Sequence, residues 1–311
     1  MKVKKALFFS AIIAAAILAW LLVLPQPKTS APLGNKISVV ATFYPLAEFA
    51  RNVGGDAVEV WTATPAGAEP HDFEPSPADI ARIYRADVLL ANGGVDAWVR
   101  KLEPELAGKG VRVRVMADKM AFKTLPGNAA AGQAAESLDP HVWLDPAFAM
   151  RQVELIRDIL IEADPGHADG YAVRAGNYLS ALAMLDRDFK SGLSDCKKPK
   201  IIASHDAYGY LGSRYGFTIL AIAGISPDAE PSAGDLADLS DLMKKEGLEY
   251  VFFESLVSPS LAQTLARETG ARVLPLNPLE GLTDSEIAAG KTYLSVMRQN
   301  LNELRTAMLC R

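Results

Sequence analysis

Three of the four histidines in the chain lie in polar turns next to apolar segments. His141 lies between two Asp-Pro pairs, His71 lies in a stretch with several prolines, and His205 directly follows an apolar run. Neutral imidazole is a favoured ligand for a borderline ion such as Zn²⁺, which proteins bind at about 2.0–2.1 Å. The sequence therefore predicts a metal site made from His71, His141 and His205. His167 has no such setting and is expected at the surface.

Each of these three histidines follows a predicted β-strand. From residue 37 onwards, short β-branched runs alternate with amphipathic helical patterns, which is typical of α/β proteins with mostly parallel sheets. Strands are predicted over residues 57–62, 111–116 and 200–203, and ligands bind beyond the carboxyl ends of such strands. The Ala- and Gly-rich residues 122–137, which precede His141, are predicted to form a mobile loop. The three histidines are therefore expected to face one cleft.

A long helix is predicted between two sets of strands. Residues 168–193 carry apolar side chains at spacings of three and four, and such a helix would measure about 40 Å. The predicted fold is α/β with two lobes, each a mostly parallel four-stranded sheet with covering helices, joined by one long rigid helix. The metal-binding lobes would span residues 37–165 and 196–311, and the linking helix would lie within residues 166–195.

The N-terminal residues 1–36 are typical of a targeting segment and linker. Three lysines precede residues 6–24, which are apolar apart from Ser10, and a polar stretch follows. The length lies between that of a secretory signal and that of a spanning helix, so both a cleaved signal peptide and an uncleaved anchor stay open. Either alternative places the rest of the chain in the periplasm or another extracytoplasmic space, where residues 6–24 would anchor it to the inner membrane if uncleaved.

The cysteine content and the net charge give two further expectations, one about a disulfide and one about partners. Two cysteines, Cys196 and Cys310, in an oxidising compartment predict one disulfide, with two unrelated thiols as the alternative. The formal net charge of -5 argues against a nucleic-acid partner.

Carboxylates near the histidines suggest further roles. Asp72, Asp145 and Asp206 are close enough in sequence to accept hydrogen bonds from the ligand rings. Glu69 and Glu254 lie at loop or strand ends, and a hydrogen-bonded role is favoured over a role as extra ligands.

The same residues allow two alternatives to a binding protein, a zinc hydrolase and a metal-stabilised interaction protein. Three histidines with a water molecule also form a zinc hydrolase site, in which Glu69 or Glu254 would act as general base. The chain has no HExxH, no G-x-S-x-G and no Gly-rich phosphate loop, so a binding protein is favoured over an enzyme. A metal-stabilised interaction protein is the third alternative, and it would lose its fold on chelation.

The motifs around the histidines resemble those of a known family. The chain resembles the metal-binding proteins of ABC importers for zinc and manganese, the zinc-uptake type above all, over residues 37–309. Four stretches carry the resemblance: Gly67-Ala68-Glu69-Pro70-His71-Asp72-Phe73-Glu74-Pro75-Ser76, Asp139-Pro140-His141-Val142-Trp143-Leu144-Asp145-Pro146, Ser204-His205-Asp206-Ala207-Tyr208-Gly209-Tyr210-Leu211, and Ile225-Ser226-Pro227-Asp228-Ala229-Glu230-Pro231-Ser232.

The resemblance implies a monomeric solute-binding protein rather than an enzyme. It would capture Zn²⁺ between two lobes through His71, His141 and His205, and deliver it to an ABC permease and its ATPase. Manganese-type members resemble this pattern but have a carboxylate where His205 stands, so Zn²⁺ is favoured over Mn²⁺ or Fe²⁺.

Two departures from the family pattern concern the metal site. The family often has an Asp as fourth ligand where this chain has Asn277, so the fourth position is Asn277, a water or a nearby Glu. The zinc-type proteins often carry a His-rich loop before the second ligand, whereas residues 125–138 contain no histidine.

Overall fold

The computed structural model describes residues 36–126, 136–227 and 231–311. Residues Lys36–Arg311 form one compact unit. The predicted signal or anchor, residues 6–24, lies outside the described residues. Among the residues that the structure describes, no helix combines the length and the apolar composition needed to cross a bilayer.

The first half of the unit contains a parallel four-stranded sheet in the order β2-β1-β3-β4. The predicted strands are confirmed to within a residue or two at their ends, and a helix lies between each strand and the next along the chain, as parallel pairing requires. The elements of this part are β1 (Ile37–Ala41), α1 (Tyr44–Gly54), β2 (Val58–Thr62), α2 (Pro77–Ile83), β3 (Val88–Ala91), α3 (Trp98–Gly108) and β4 (Arg112–Val115).

The start of α2 follows from its sequence. The Ser76 hydroxyl accepts from the backbone N–H of Asp79, and the Asp79 carboxylate accepts from the backbone N–H of Ser76. Pro77 occupies the first turn, where its missing N–H costs nothing. This capping box ends the loop that carries His71, so the loop has a fixed exit.

The segment predicted as a mobile loop contains a short hairpin instead. β5 (Thr124–Pro126) pairs antiparallel with β6 (Glu136–Leu138), and residues 127–135 lie outside the described part of the chain. The prediction of a loop over residues 122–137 was therefore wrong at both ends. The hairpin fixes the position of Asp139, because the backbone N–H of Asp139 donates to the Lys123 carbonyl.

Two helices follow, α4 (Pro146–Ala163) and α5 (Ala168–Gly192). Asp145 caps the start of helix α4, because its carboxylate accepts from the backbone N–H of Ala147. Helix α5 has 25 residues, about 37 Å at the usual rise. It packs against α4 and α1 through the predicted apolar stripe, which is buried: Tyr171, Ala175, Tyr178, Leu182, Leu185 and Phe189.

The second half has two parallel pairs of strands, β7 with β8 and β9 with β10. Strand β7 lies beside β9, and the Ser204 hydroxyl donates to the Phe252 carbonyl across that seam. The elements of this part are β7 (Lys200–Ala203), α6 (Gly209–Tyr215), β8 (Thr218–Ala221), α7 (Ala233–Glu246), β9 (Tyr250–Phe253), α8 (Ser260–Thr269), β10 (Arg272–Pro275), α9 (Asp284–Ala288) and α10 (Tyr293–Met308).

Cys196 and Cys310 form the predicted disulfide. Backbone hydrogen bonds join the same two segments, because Lys198 N–H donates to the Met308 carbonyl and Arg311 N–H donates to the Asp195 carbonyl. The end of α10 is thereby tied to the chain just before β7.

Candidate metal centre

The three predicted histidines lie together in the structure, and a buried glutamate completes the cluster. The Nε2 atom of His141 lies 3.3 Å from that of His71 and 3.4 Å from that of His205. The Oε1 atom of Glu280 lies 3.3 Å, 3.2 Å and 3.3 Å from the Nε2 atoms of His71, His141 and His205 respectively. These four atoms face one another across a space of atomic size, which is the arrangement of ligands around a single ion.

The four side chains come from segments that follow strands, three of them parallel strands, whose carboxyl ends favour ligand sites, and one, for His141, the antiparallel strand β6. His71 lies in the loop after β2, and His205 lies two residues beyond β7. His141 lies between β6 and a 3₁₀ turn at Val142–Leu144, and Glu280 lies in the segment between β10 and α9. His71 and His141 therefore come from the first half of the unit, and His205 and Glu280 come from the second.

The segment that carries His141 is held on both sides. The Asp139 carboxylate accepts from the His141 ring at Nδ1 (2.9 Å) and from its backbone N–H (3.0 Å). The Asn92 amide donates to the Pro140 carbonyl, and the Tyr210 hydroxyl donates to the Asp139 carbonyl. With the Nδ1 proton bonded to Asp139, the lone pair of His141 lies on Nε2, which points into the cluster.

His205 is oriented in the same way by a different carboxylate. Glu254, at the end of β9, places both oxygens within 2.8–2.9 Å of His205 Nδ1. The hydrogen-bonded role predicted for Glu254 is thus observed. The prediction that Asp145 and Asp206 serve the ligand rings was wrong, since Asp139 and Glu254 lie there. Asp145 instead caps α4 and pairs with Arg214.

The segment around His71 is held more lightly. The Glu69 carboxylate accepts from the backbone N–H of His71 at 3.2 Å, and Gly67 N–H donates to the Leu282 carbonyl. The His71 side chain keeps 9% of its surface exposed, whereas those of the other three members are fully buried. His71 therefore forms the solvent side of the cluster.

Burial and contacts with carboxylates shift the pKa values of two histidines of the cluster. Burial acts to lower the pKa of His141, but its hydrogen bonds with Asp139 and Glu280 outweigh this effect and raise the pKa. Burial likewise opposes protonation of His205, but the charges of Glu254 and Glu280 hold its pKa well above its ordinary value.

The two glutamates near the rings are shifted in opposite directions. Burial acts to raise the pKa of Glu280, yet the positive charge of His205 and the hydrogen bonds from the rings hold that pKa well below its usual range. Burial, together with the neighbouring charge of Glu280, raises the pKa of Glu69 to about 9. Glu280 is therefore the carboxylate of the cluster, and Glu69 is neutral beside it at pH 7.

Asn277, predicted as one alternative for the fourth position, has other partners. Its Oδ1 accepts from the backbone N–H of Leu279 at 2.7 Å, and its Nδ2 donates to Glu286 Oε1 at 3.2 Å. The sequence did point to a nearby glutamate as another alternative, without naming Glu280. The usable signal was position, because Glu280 is an acidic residue just beyond the carboxyl end of a strand.

Two further residues lie outside the cluster, and His167 agrees with its predicted surface position. His167 is exposed and pairs with Asp164. Trp143 is a packing residue, fully buried against Phe43, and its indole N–H donates to the Pro278 carbonyl.

Comparison with protein families gives one match that spans most of the chain. The profile described as "Zinc-uptake complex component A periplasmic", ZnuA, matches residues 39–307. The chain is 38% identical over 287 residues to the zinc-binding protein AdcA of Streptococcus pyogenes serotype M1, covering 87% of this chain and 56% of AdcA. The chain therefore spans about half the length of AdcA.

Two other relatives match over nearly their whole length. The high-affinity zinc uptake system protein ZnuA of Bacillus subtilis is 36% identical over 285 residues, with 89% of each chain covered. Among solved structures, the Zn(II)-bound ZnuA-like domain of Streptococcus pneumoniae AdcA superposes with a TM-score of 0.77 and 39% identity, covering 88% of this chain and 99% of that domain.

Proposed function

Because the chain belongs to the ZnuA family of periplasmic zinc-uptake components, we propose that it is an extracytoplasmic solute-binding protein for Zn²⁺. Its ligands in this proposal are His71, His141, His205 and Glu280. It would hold the ion outside the cytoplasm and deliver it to an ABC permease with its ATPase. The lobes of the proposal are residues 37–165 and 196–311, with α5 between them, so each lobe supplies two ligands.

The separations of the four ligand atoms carry the proposal. A tetrahedron with a centre-to-corner distance of about 2.0–2.1 Å, the usual Zn–N distance, has edges of about 3.3–3.4 Å. Five of the six separations lie between 3.2 and 3.4 Å, and all six lie within 4.8 Å. Three neutral nitrogens and one carboxylate oxygen also suit Zn²⁺ better than Mn²⁺, which prefers a larger set of oxygen ligands.

The buried carboxylate of Glu280 gives independent support. Its Oε2 atom has no hydrogen-bond partner among the described residues, although it is buried. A buried carboxylate oxygen without a partner is costly, and a cation beside it removes that cost. The cluster therefore has both the geometry and the charge to favour a divalent ion.

The hydrolase alternative fits the geometry less well. A catalytic zinc site keeps one coordination position open for water or substrate. Here Glu280 Oε1 lies within 3.3 Å of all three Nε2 atoms and takes the fourth corner. Glu254, the candidate general base, bonds to His205 Nδ1 on the far side of the ring from the cluster.

Titration of the metal-free protein with Zn²⁺ and Mn²⁺ tests the binding step. We expect one tight Zn²⁺ site, much weaker Mn²⁺ binding, and a large loss of Zn²⁺ affinity in both His205→Ala and Glu280→Gln. His167→Ala is the matched control, because His167 is an exposed histidine outside the cluster, and its affinity should equal that of the wild type. A preference for Mn²⁺, or wild-type affinity in Glu280→Gln, would contradict the proposed ligand set.

Delivery needs a cellular experiment. A strain that lacks this protein should grow poorly in chelated medium and recover when Zn²⁺, but not Mn²⁺, is added. Complementation with His205→Ala should fail although the variant is exported normally. Normal ⁶⁵Zn uptake in the deletion strain at low external zinc would contradict a role in import.

A further inference from the structure

We propose that Asn277 is the positioning residue for Glu280: its side chain fixes the peptide group that precedes Leu279, and from that group the left-handed conformation of Leu279 directs the Glu280 carboxylate at the three histidines. This inference deepens the proposed function and rests on it, because it concerns how the fourth ligand is presented. It gives Asn277 a role in metal affinity without contact with the ion.

The backbone at Leu279 is the first observation. Leu279 has a φ of 57°, and it is one of two non-glycine residues with positive φ among the described residues. Its side chain is fully buried. A bulky residue pays a steric cost in the left-handed region and stays there only when its surroundings hold it. The next residue in the chain is Glu280, so the direction of its side chain depends on this conformation.

The Asn277 side chain bonds to the peptide group that precedes Leu279. Its Oδ1 accepts from the backbone N–H of Leu279 at 2.7 Å, which closes an Asx turn around Pro278. The proline has a fixed φ and restricts the residue before it to extended conformations, so the turn has few alternatives.

Asn277 is itself immobilised by two neighbours. Its backbone N–H donates to Asn300 Oδ1 at 3.0 Å, and its carbonyl accepts from Asn300 Nδ2 at 2.7 Å. Its side-chain amide donates to Glu286. An acceptor that is fixed in this way can fix the peptide group before Leu279 rather than follow it.

The segment that carries Glu280 is also bonded to the segments of all three histidines. Trp143 Nε1 donates to the Pro278 carbonyl at 2.7 Å, and Trp143 lies two residues after His141. The Tyr208 hydroxyl donates to the Leu276 carbonyl at 2.9 Å, and Tyr208 lies three residues after His205. On the side of His71, the backbone N–H of Gly67 donates to the Leu282 carbonyl at 3.0 Å. The ends of the segment are thus fixed relative to the rings, and the turn at Asn277 sets the direction of Glu280.

A double-mutant cycle on Zn²⁺ affinity tests the inference. The four proteins are the wild type, Asn277→Ala, Glu280→Ala and the double variant, stripped of metal and titrated against a competing chromogenic chelator. Loss of a group that orients a ligand typically costs about 10–100-fold in metal affinity, and we expect that loss for Asn277→Ala. In the Glu280→Ala background the same substitution should change affinity by less than about twofold, because Glu280 is the group through which Asn277 acts.

Two further variants separate positioning from general stability. Asn277→Asp keeps the Oδ1 acceptor but faces Glu286, so we expect a lowered unfolding temperature with zinc affinity close to that of the wild type. Val153→Ala in α4 lowers stability by a core cavity away from the cluster, and its zinc affinity should be unchanged.

The possible outcomes distinguish the inference from the proposed function. If Glu280→Ala binds Zn²⁺ as the wild type does, the proposed ligand set fails, and the inference fails with it. If Glu280→Ala loses affinity but Asn277→Ala costs the same factor in both backgrounds, or if Asn277→Asp binds as poorly as Asn277→Ala, the ligand set stands and the positioning role of Asn277 is rejected.

Discussion

His71 and His141 come from the same half of the molecule, yet their surroundings differ. The side chain of His141 is fully buried, and its ring and backbone both bond to Asp139. His71 keeps part of its side chain exposed, and its backbone bonds to Glu69, which is neutral at pH 7. The two ligands therefore differ in how strongly the fold holds them before any ion arrives.

If the cluster binds Zn²⁺ as we propose, this difference explains how it can both bind and release the ion. A fixed His141 keeps its Nε2 atom directed into the cluster, which in our proposal supports affinity by reducing the cost of ordering ligands. A lightly held His71 on the solvent side is the ligand that can move first. We therefore expect ions to enter and leave past His71, and the following predictions test that division of roles.

The largest effect is expected from His141→Ala compared with His71→Ala. Removing His141 leaves the buried Asp139 carboxylate without its ring partner, which typically costs about 3–5 kcal/mol of stability. His71→Ala should cost about 1 kcal/mol or less, because its site is reachable by water. Thermal unfolding of the metal-free variants measures both, and zinc titration should show the larger loss for His141→Ala. Equal destabilisation by the two substitutions would remove the proposed difference.

The second prediction compares the two carboxylates behind these ligands. Asp139→Asn replaces a charged acceptor of His141 Nδ1 with a neutral one, so we expect Zn²⁺ affinity to fall by about tenfold, the lower end of the range for such partners. Glu69→Gln should change affinity by less than about twofold, because a pKa of about 9 already keeps Glu69 neutral at pH 7. Competition titrations at pH 7 measure both. The comparison fails if Glu69→Gln is the more damaging substitution.

The third prediction concerns pH. The raised pKa values of His141 and His205 stabilise the metal-free fold below the unfolded value of about 6.5, and that contribution is lost as pH rises through the folded values. Bound Zn²⁺ displaces those protons, so stabilisation by zinc should increase over the same range. The difference between the unfolding temperatures with zinc and with chelator should therefore widen from pH 5.5 to 8.5. A zinc-induced increment independent of pH would argue against imidazole ligands.

Much of the fold could be predicted from sequence because strand and helix patterns were strong and local. The bounds of β7 agree with the prediction, and the ends of the other predicted strands differ by a residue or two. Helix α3 was not predicted, and Pro104 lies inside it, a residue that normally argues against a helix interior. The hairpin of β5 and β6 was missed because its surroundings are Ala- and Gly-rich, a composition with low β-propensity.

In the candidate site too, some residues could be predicted from the sequence and others could not. The three histidines were found because histidine is rare in this chain and each lies in a distinctive turn. Glu280 was not named because glutamates at loop ends are common, and its selection depends on burial and on the conformation of Leu279. Both properties arise from long-range packing, which the local sequence around Glu280 does not contain. The same holds for Asp139 and Glu254, whose roles depend on which ring each one reaches.

The smallest effect is expected from alanine substitutions at two glycines, one in the loop of His71 and one packed against the segment of His141. Gly67 and Gly94 both have positive φ, so an alanine at either position costs about 1–2 kcal/mol. A Cβ atom at Gly94 would lie 2.6 Å from the Cβ of Pro140, the residue before His141, whereas a Cβ at Gly67 meets nothing within 4 Å. Gly94→Ala should therefore displace the His141 segment and weaken Zn²⁺ binding several-fold, while Gly67→Ala lowers the unfolding temperature but leaves affinity unchanged. If Gly67→Ala weakened binding as much as Gly94→Ala, the loop of His71 would be as closely fitted as that of His141, and the contrast between a fixed and a movable ligand would be lost.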